Sequence, residues 1–258
     1  MEKIKNYNRY NEAMTSTMLD KIWFLDKIPP TVDTIVDFGC ADGSLIKFID
    51  SIFPNRFKFV GIDNDEEMLD RATKNLANIK SPYTLYHSIC GLEYQSMENA
   101  VLVLNSVVHE IFSYCSYLDC AQIFNSINKM HFSFVAIRDM HYQETTANEL
   151  ALYTMANVFL TNEREHFTQW NDLNYHSNTQ NSIIEFLLKY RYKENWDREV
   201  AERYLWNWKN DLTRYFRNYE IEFEQDFYIP FIFSKYELDF DTKTERFNTH
   251  KKLLFKCR

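Results

Sequence analysis

The residues best placed for chemistry lie in one run, Ile35-Val36-Asp37-Phe38-Gly39-Cys40-Ala41-Asp42-Gly43-Ser44-Leu45. An apolar, β-branched stretch ends on a carboxylate, passes two glycines and enters the amphipathic Leu45-Ile46-Lys47-Phe48-Ile49, which reads as strand, tight turn and helix. Such a turn lets a ligand approach bare backbone, with helix N–H groups aimed at it. The chain has only four glycines, so two within five residues mark a specific backbone demand. Asp63 closes the next apolar run, 57–62, one βαβ step later. A carboxylate there is placed to accept hydrogen bonds from both hydroxyls of a ribose.

The charges select between nucleotide-type ligands. A dinucleotide would bring its pyrophosphate to the helix N-terminus, beside Asp37 and Asp42, where like charges repel. A cationic ligand with a free amino group gains from the same two acids, which favours S-adenosylmethionine over NAD. The run from Val36 to Ser44 resembles the first motif of class I S-adenosylmethionine-dependent methyltransferases, and Val60-Gly61-Ile62-Asp63-Asn64-Asp65 resembles their second, acidic motif. The likeness covers residues 33–138 and, loosely, the final strands. It departs from the commonest pattern in having Ala41 at a glycine position.

The resemblance implies a set of cofactor contacts. Gly39, Cys40 and Ala41 would offer backbone to the methionine moiety, and Asp37 would order the loop and the amino group. Asp63 would take the ribose, while Asn64 and Met68 flank the adenine. Ser88 and Ile89 are the weaker adenine-edge candidates, because the loop 87–90 lacks the acid usual there. Asn105 ends the fourth strand, and strand C-termini in an open parallel sheet face the ligand crevice.

Two further groups stand at the same edge. His109 and Glu110 follow Asn105 by about a turn, and Arg138, Asp139 and His141 end the fifth strand. Methyl transfer from a sulfonium is an in-line displacement governed by alignment and desolvation. An oxygen nucleophile or a protonated amine also needs a base within reach. His109 is the first candidate base and His141 the second, with Asp139 able to hold a proton. Glu110 and Arg138 are candidate substrate contacts. The plainer alternatives are a helix-start His109 held by a neighbour and an internal Arg138–Asp139 ion pair.

The elements that must position these groups follow from the pattern. Residues 1–28 carry a helical apolar stripe, preceded by Tyr7 and Tyr10 as a candidate lid, with Tyr10 also a candidate substrate contact. Alternating strands and helices follow, including one helix over 115–130, and predict an α/β fold with a Rossmann-like doubly wound, mostly parallel sheet. Residues 143–218 lack clear strands and predict a helical cap insertion. The run from Ile221 to Phe233 and the run 252–256 predict a C-terminal antiparallel edge strand pair. The expected division is an N-terminal lid at 1–30, a cofactor domain at 31–142 and 219–258, and a cap at 143–218.

Composition bounds the rest. A net charge of −8 and a pI near 5.4, with no long basic cluster, argue against a nonspecific duplex nucleic-acid binder. Five cysteines without a paired spacing suggest reduced thiols rather than a structural zinc, so no metal is expected. No signal segment and no run near the ~18 apolar residues of a membrane span appear, so a cytoplasmic protein with no membrane partner is expected. The cap interleaves aromatics with arginines, as in Tyr190-Arg191-Tyr192 and Arg203-Tyr204-Leu205-Trp206. It reads as the aromatic core of a subdomain or as a stacking platform. The favoured function is methylation of a small-molecule acceptor at O or N. The alternatives are an RNA or protein methyltransferase and an inactive cofactor-binding module.

Overall fold

The computed structural model describes Tyr7 and residues 17–92, 97–142, 164–174, 180–190, 192–230, 233–234, 237 and 248–258. Tyr10 lies outside the described residues. Seven strands, β1 (Thr34–Phe38), β2 (Lys58–Ile62), β3 (Tyr83–Tyr86), β4 (Ala100–Asn105), β5 (Phe134–Met140), β6 (Tyr219–Phe227) and β7 (His250–Cys257), form one sheet in the order β3-β2-β1-β4-β5-β7-β6. The first five run parallel, β7 lies antiparallel to β5, and β6 lies antiparallel to β7. The doubly wound sheet and its antiparallel edge pair are thus present. Every residue of β4 and β5 is buried, as expected for strands covered on both faces.

Alternating side chains divide the core in two. Val36, Leu102, Leu104, Val135, Ile137 and Phe255 face the helices Val108–Tyr114, Tyr117–Lys129 and Trp208–Tyr215. Ile35, Phe59, Val101, Val103, Ala136 and Leu254 face the helices Ser44–Ile52 and Glu66–Leu76. A third cluster holds Phe167, Trp170, Phe186, Leu187, Trp196, Val200 and Tyr204 together with Met140 at the end of β5. No helix among the described residues is long and apolar enough to cross a membrane.

The helix expected over 115–130 is present as Tyr117–Lys129, opened by Ser116 with a capping box to Asp119. A separate helix, Val108–Tyr114, precedes it and ends at the extended Cys115, so that His109 and Glu110 lie in its first turn. Two other local expectations change. Near the N-terminus, the described helix is Met18–Lys21, followed by turns. The strand expected through Phe233 stops at Phe227.

The helix Trp208–Tyr215 falls inside the segment assigned by sequence to the cap, yet it packs on the sheet. Trp208 is fully buried in the main core with Leu212 and Phe216, and its indole N–H donates to the Met140 carbonyl at 2.6 Å. Trp208→Ala should therefore cost about 3–5 kcal/mol, the usual penalty for emptying a buried aromatic site. Urea unfolding followed by far-UV circular dichroism would measure the loss, and a cost near zero would place this helix outside the sheet core.

Candidate active site

The glycine turn is held by its neighbours across the sheet edge. The Gly39 and Cys40 N–H groups both donate to the Ile62 carbonyl, at 2.8 and 3.0 Å. Gly39 has φ +79°, and a Cβ there would sit 2.9 Å from Val107 Cγ2, so both backbone and space require glycine. Ala41 adopts φ 46°, the left-handed conformation that explains why glycine is usual at this place in the motif. Its N–H donates to Asp63 Oδ2 at 2.8 Å, while Asp63 Oδ1 accepts the Asp65 N–H at 3.0 Å. Asp65 in turn caps the helix Glu66–Leu76 by accepting the Glu67 N–H at 2.9 Å. One carboxylate therefore ties the turn after β1 to the turn after β2. Burial raises the Asp63 pKa against the lowering pull of these two backbone donors.

The strand C-termini open on a cavity of about 940 Å³. Toward β2 and β3 its wall is Asp63, Asn64, Met68, Ser88 and Ile89. Around β1 and β4 it is Phe38, Gly39, Ala41, Asn105 and Ser106. Beyond them come Glu110, Ile111 and Tyr114 from the helix Val108–Tyr114, and Arg198 from the short helix Trp196–Glu199. Tyr7 stands at the rim, its hydroxyl donating to Asp65 Oδ2 at 3.0 Å and its ring 4.7 Å from the Arg71 guanidinium. Burial and the Asp65 carboxylate push its phenol up to about 12.

The structure brings Gly39, Ala41, Asp63, Asn64, Met68, Ser88, Ile89, Asn105 and Glu110 onto this wall. Asp37 and Cys40 lie buried beneath the turn instead. Burial pushes the Asp37 carboxyl up to about 7, with the Lys21 ammonium pulling the other way. Its Oδ2 and the Asn105 Oδ1 are both buried with no hydrogen-bond partner among the described residues. Arg138 and Asp139 point to opposite faces of β5, so they do not form the ion pair considered from sequence. Arg138 Nε donates to Asp20 Oδ2 at 2.5 Å, and its Nη1 donates to Ser106 Oγ at 3.2 Å. His141 packs edge-on to Trp208 at 5.0 Å, away from the cavity wall. Burial and the Lys251 charge push its imidazole down to about 4.

His109 sits under the wall rather than on it. Its backbone N–H donates to Asp139 Oδ2 at 3.0 Å, its Nδ1 lies 2.8 Å from Asp139 Oδ1, and its Nε2 lies 3.5 Å from Glu202 Oε2. Burial alone would lower its pKa, but the two carboxylates outweigh it and raise the value well above the usual one. An imidazole that already holds its proton is not a base at neutral pH. Glu202 continues outward: its Oε1 accepts Arg198 Nε at 3.0 Å and the Tyr114 hydroxyl at 2.9 Å. Arg198 Nη2 then reaches Glu110 Oε1 at 2.6 Å. Atoms of His109, Glu110 and Glu202 lie within 4.8 Å of one another, as a metal site would need. A dication there would meet the Arg198 guanidinium already bound to both glutamates.

Sequence reasoning missed Ser106, Tyr114, Arg198 and Glu202. Arg198 and Glu202 are an i,i+4 pair in a charged run, indistinguishable by pattern from a solvated helix face. Their partner Glu110 lies 88 residues earlier than Arg198.

The sheet order, the glycine turn and the acid after β2 can be set beside solved structures. The plantazolicin methyltransferase BamL, in complex with a triazolic desmethylPZN analog and SAH, matches with a TM-score of 0.52 and 11% identity over 97% of this chain and 88% of that one. This is the class I methyltransferase fold. The pyocyanin biosynthetic protein PhzM matches with a TM-score of 0.55 and 11% identity, covering 97% of this chain and 58% of that one. The PH0226 protein from Pyrococcus horikoshii OT3 matches at 0.51 and 11%, covering 96% and 91%. No family model matches the sequence, and no curated protein matches it significantly.

Within this methyltransferase fold the His109 contacts make a stability prediction with a defined sign. A histidine whose folded pKa is raised contributes stability that is full below its unfolded value of about 6.5 and is lost as pH rises through the folded value. Asp139→Asn should cost about 3–5 kcal/mol at pH 6, because it strips a buried cation of its closest carboxylate. The penalty should shrink at high pH, where the imidazole is neutral in the parent protein too. Denaturant unfolding at several pH values tests this, and a penalty that grows with pH would mean His109 is buried neutral.

Proposed function

We propose that the protein is an S-adenosylmethionine-dependent methyltransferase acting on O or N of a small-molecule acceptor. The observation that carries the reading is the pair of buried, unpartnered acceptors at the ends of β1 and β4, Asp37 Oδ2 and Asn105 Oδ1. Buried polar atoms are normally hydrogen-bonded. Two oxygens left without donors, one on Asn105 in the cavity wall and one on the Asp37 carboxyl beneath the glycine turn, suit a ligand ammonium such as the α-amino group of the cofactor. Asp63 keeps lone pairs beyond its two backbone donors for ribose hydroxyls. Asn64, Met68, Ser88 and Ile89 form the wall for the adenine, with Met68 and Ile89 its buried apolar part. The bound sulfonium would supply the methyl group and a neutral sulfur leaving group. The chain's own part is to align the acceptor and keep water out, with Arg198 reaching the cavity wall from the helical segment after β5.

In this reading residues 1–30 form the lid, 31–142 with 219–258 the cofactor domain, and 143–218 the cap, apart from the helix Trp208–Tyr215, which packs on the sheet. A surface platform for RNA bases receives no support from the buried aromatics among the cap's described residues. Tyr190, Trp196 and Tyr204 are buried in one cluster and Trp208 in the sheet core. The partly apolar cavity falls within the size range of small-molecule sites, which favours a small acceptor.

Calorimetry with S-adenosylhomocysteine (SAH) tests the cofactor assignment. Binding is expected to weaken by about tenfold in Asp37→Asn, the loss of one hydrogen bond to a charged group. An ammonium ligand favours the ionised carboxylate, so affinity should rise from pH 5.5 to about 7, where the free Asp37 titrates, and then level off. The variant should show no such rise. Absence of SAH binding at millimolar concentration would overturn the assignment.

A further inference from the structure

We propose that the acceptor end of the cavity selects a substrate that carries a protonated amine, received by Glu110. This rests on the methyltransferase reading and narrows it. The argument is one of charge count in a place where charges must be matched. Asp139 is paired with His109, and Glu202 is paired with Arg198 while also facing His109 Nε2. Glu199 is buried behind them, takes the Tyr204 hydroxyl, and is pushed up to about 8 by burial and the Glu202 charge, so it holds its proton at neutral pH. Two cations thus serve two carboxylates before Glu110 is counted.

Glu110 is the third, and it alone of these carboxylates lines the cavity. Its side chain keeps 21% of its surface open. Oε1 accepts from Arg198, which Glu202 already occupies, while Oε2 has no hydrogen-bond partner among the described residues. Burial raises the Glu110 pKa to about 7 in spite of Arg198 and His109, with the Glu202 charge adding to the rise. A carboxyl poised in this way gains full charge when a cation arrives. An ammonium at Oε2 balances the cluster, whereas a carboxylate would meet Glu110 and Glu202 and could be served only by the shared Arg198. An alcohol would leave the surplus charge in place. Ile111 and Tyr114 on the same wall give the amine's carbon skeleton an apolar surface.

The test uses the full chain loaded with SAH and three probes of one shape: benzylamine, benzyl alcohol and benzoate, titrated by calorimetry at pH 7.5. Benzylamine is expected to bind at least tenfold more tightly than either of the others. Glu110→Gln should bring that preference to twofold or less while SAH affinity stays unchanged, and Glu110→Asp should retain several-fold. The ranking in the parent protein needs no variant and decides the matter even if Glu110→Gln does not fold. Equal binding of the three probes, preference for benzoate or benzyl alcohol, or no probe binding to SAH-loaded protein overturns the amine assignment and leaves the cofactor reading intact. Failure of the parent protein to bind SAH overturns the methyltransferase reading and this inference with it.

Discussion

A buried charge must be matched, and in this protein that requirement joins the sheet to the helices beyond it. Asp139 on β5 holds His109, His109 faces Glu202, Glu202 holds Arg198, and Arg198 reaches Glu110 on the same helix as His109. The His109, Asp139, Glu202 and Arg198 side chains are each at most 5% exposed. Removing one member would strand its neighbour in a medium that cannot solvate it. The circuit fixes the helix Val108–Tyr114 against β5 and sets Arg198 on the cavity wall. It also makes the imidazole a structural cation, since a ring clasped by two carboxylates keeps its proton.

A second constraint acts at the other end of the cavity, and it is a constraint of backbone. Gly39, Ala41 and Gly43 all have positive φ, a conformation that costs Ala41 about 1 kcal/mol. The Asp63 carboxylate offsets this by accepting the Ala41 N–H and the Asp65 N–H. The residue expected to meet a ribose is therefore also the post that holds the turn. Such double use keeps the site formed before a ligand arrives, because the loop is ordered by the fold's own bonds.

The sheet and much of the cavity wall were legible in sequence for a local reason. Strand, turn and helix follow one another within about twenty residues in the first two βα units, so the spacing of Asp37, Gly39 and Asp63 carries the geometry directly. Burial was legible too, since β4 and β5 read as continuous apolar runs. The helix opened by Ser116 was legible from its start, whereas the seven-residue helix Val108–Tyr114 just before it was too short to show a helical period. The helix Trp208–Tyr215 shares its composition with the cap but packs on the sheet, and composition does not say which core an aromatic enters.

The sequence by itself determined the order of strands and helices, the glycine turn, and the acid that follows β2, because these depend on residues near one another along the chain. Only the tertiary structure decided what the charged residues do. Alternation along β5 sent Arg138 to Asp20 and Asp139 to His109. Folding of the segment after β5 brought Arg198 and Glu202 to a helix some ninety positions earlier. Charge pairing in a low-dielectric interior acts through space over a few ångströms, and separation along the chain carries no trace of it.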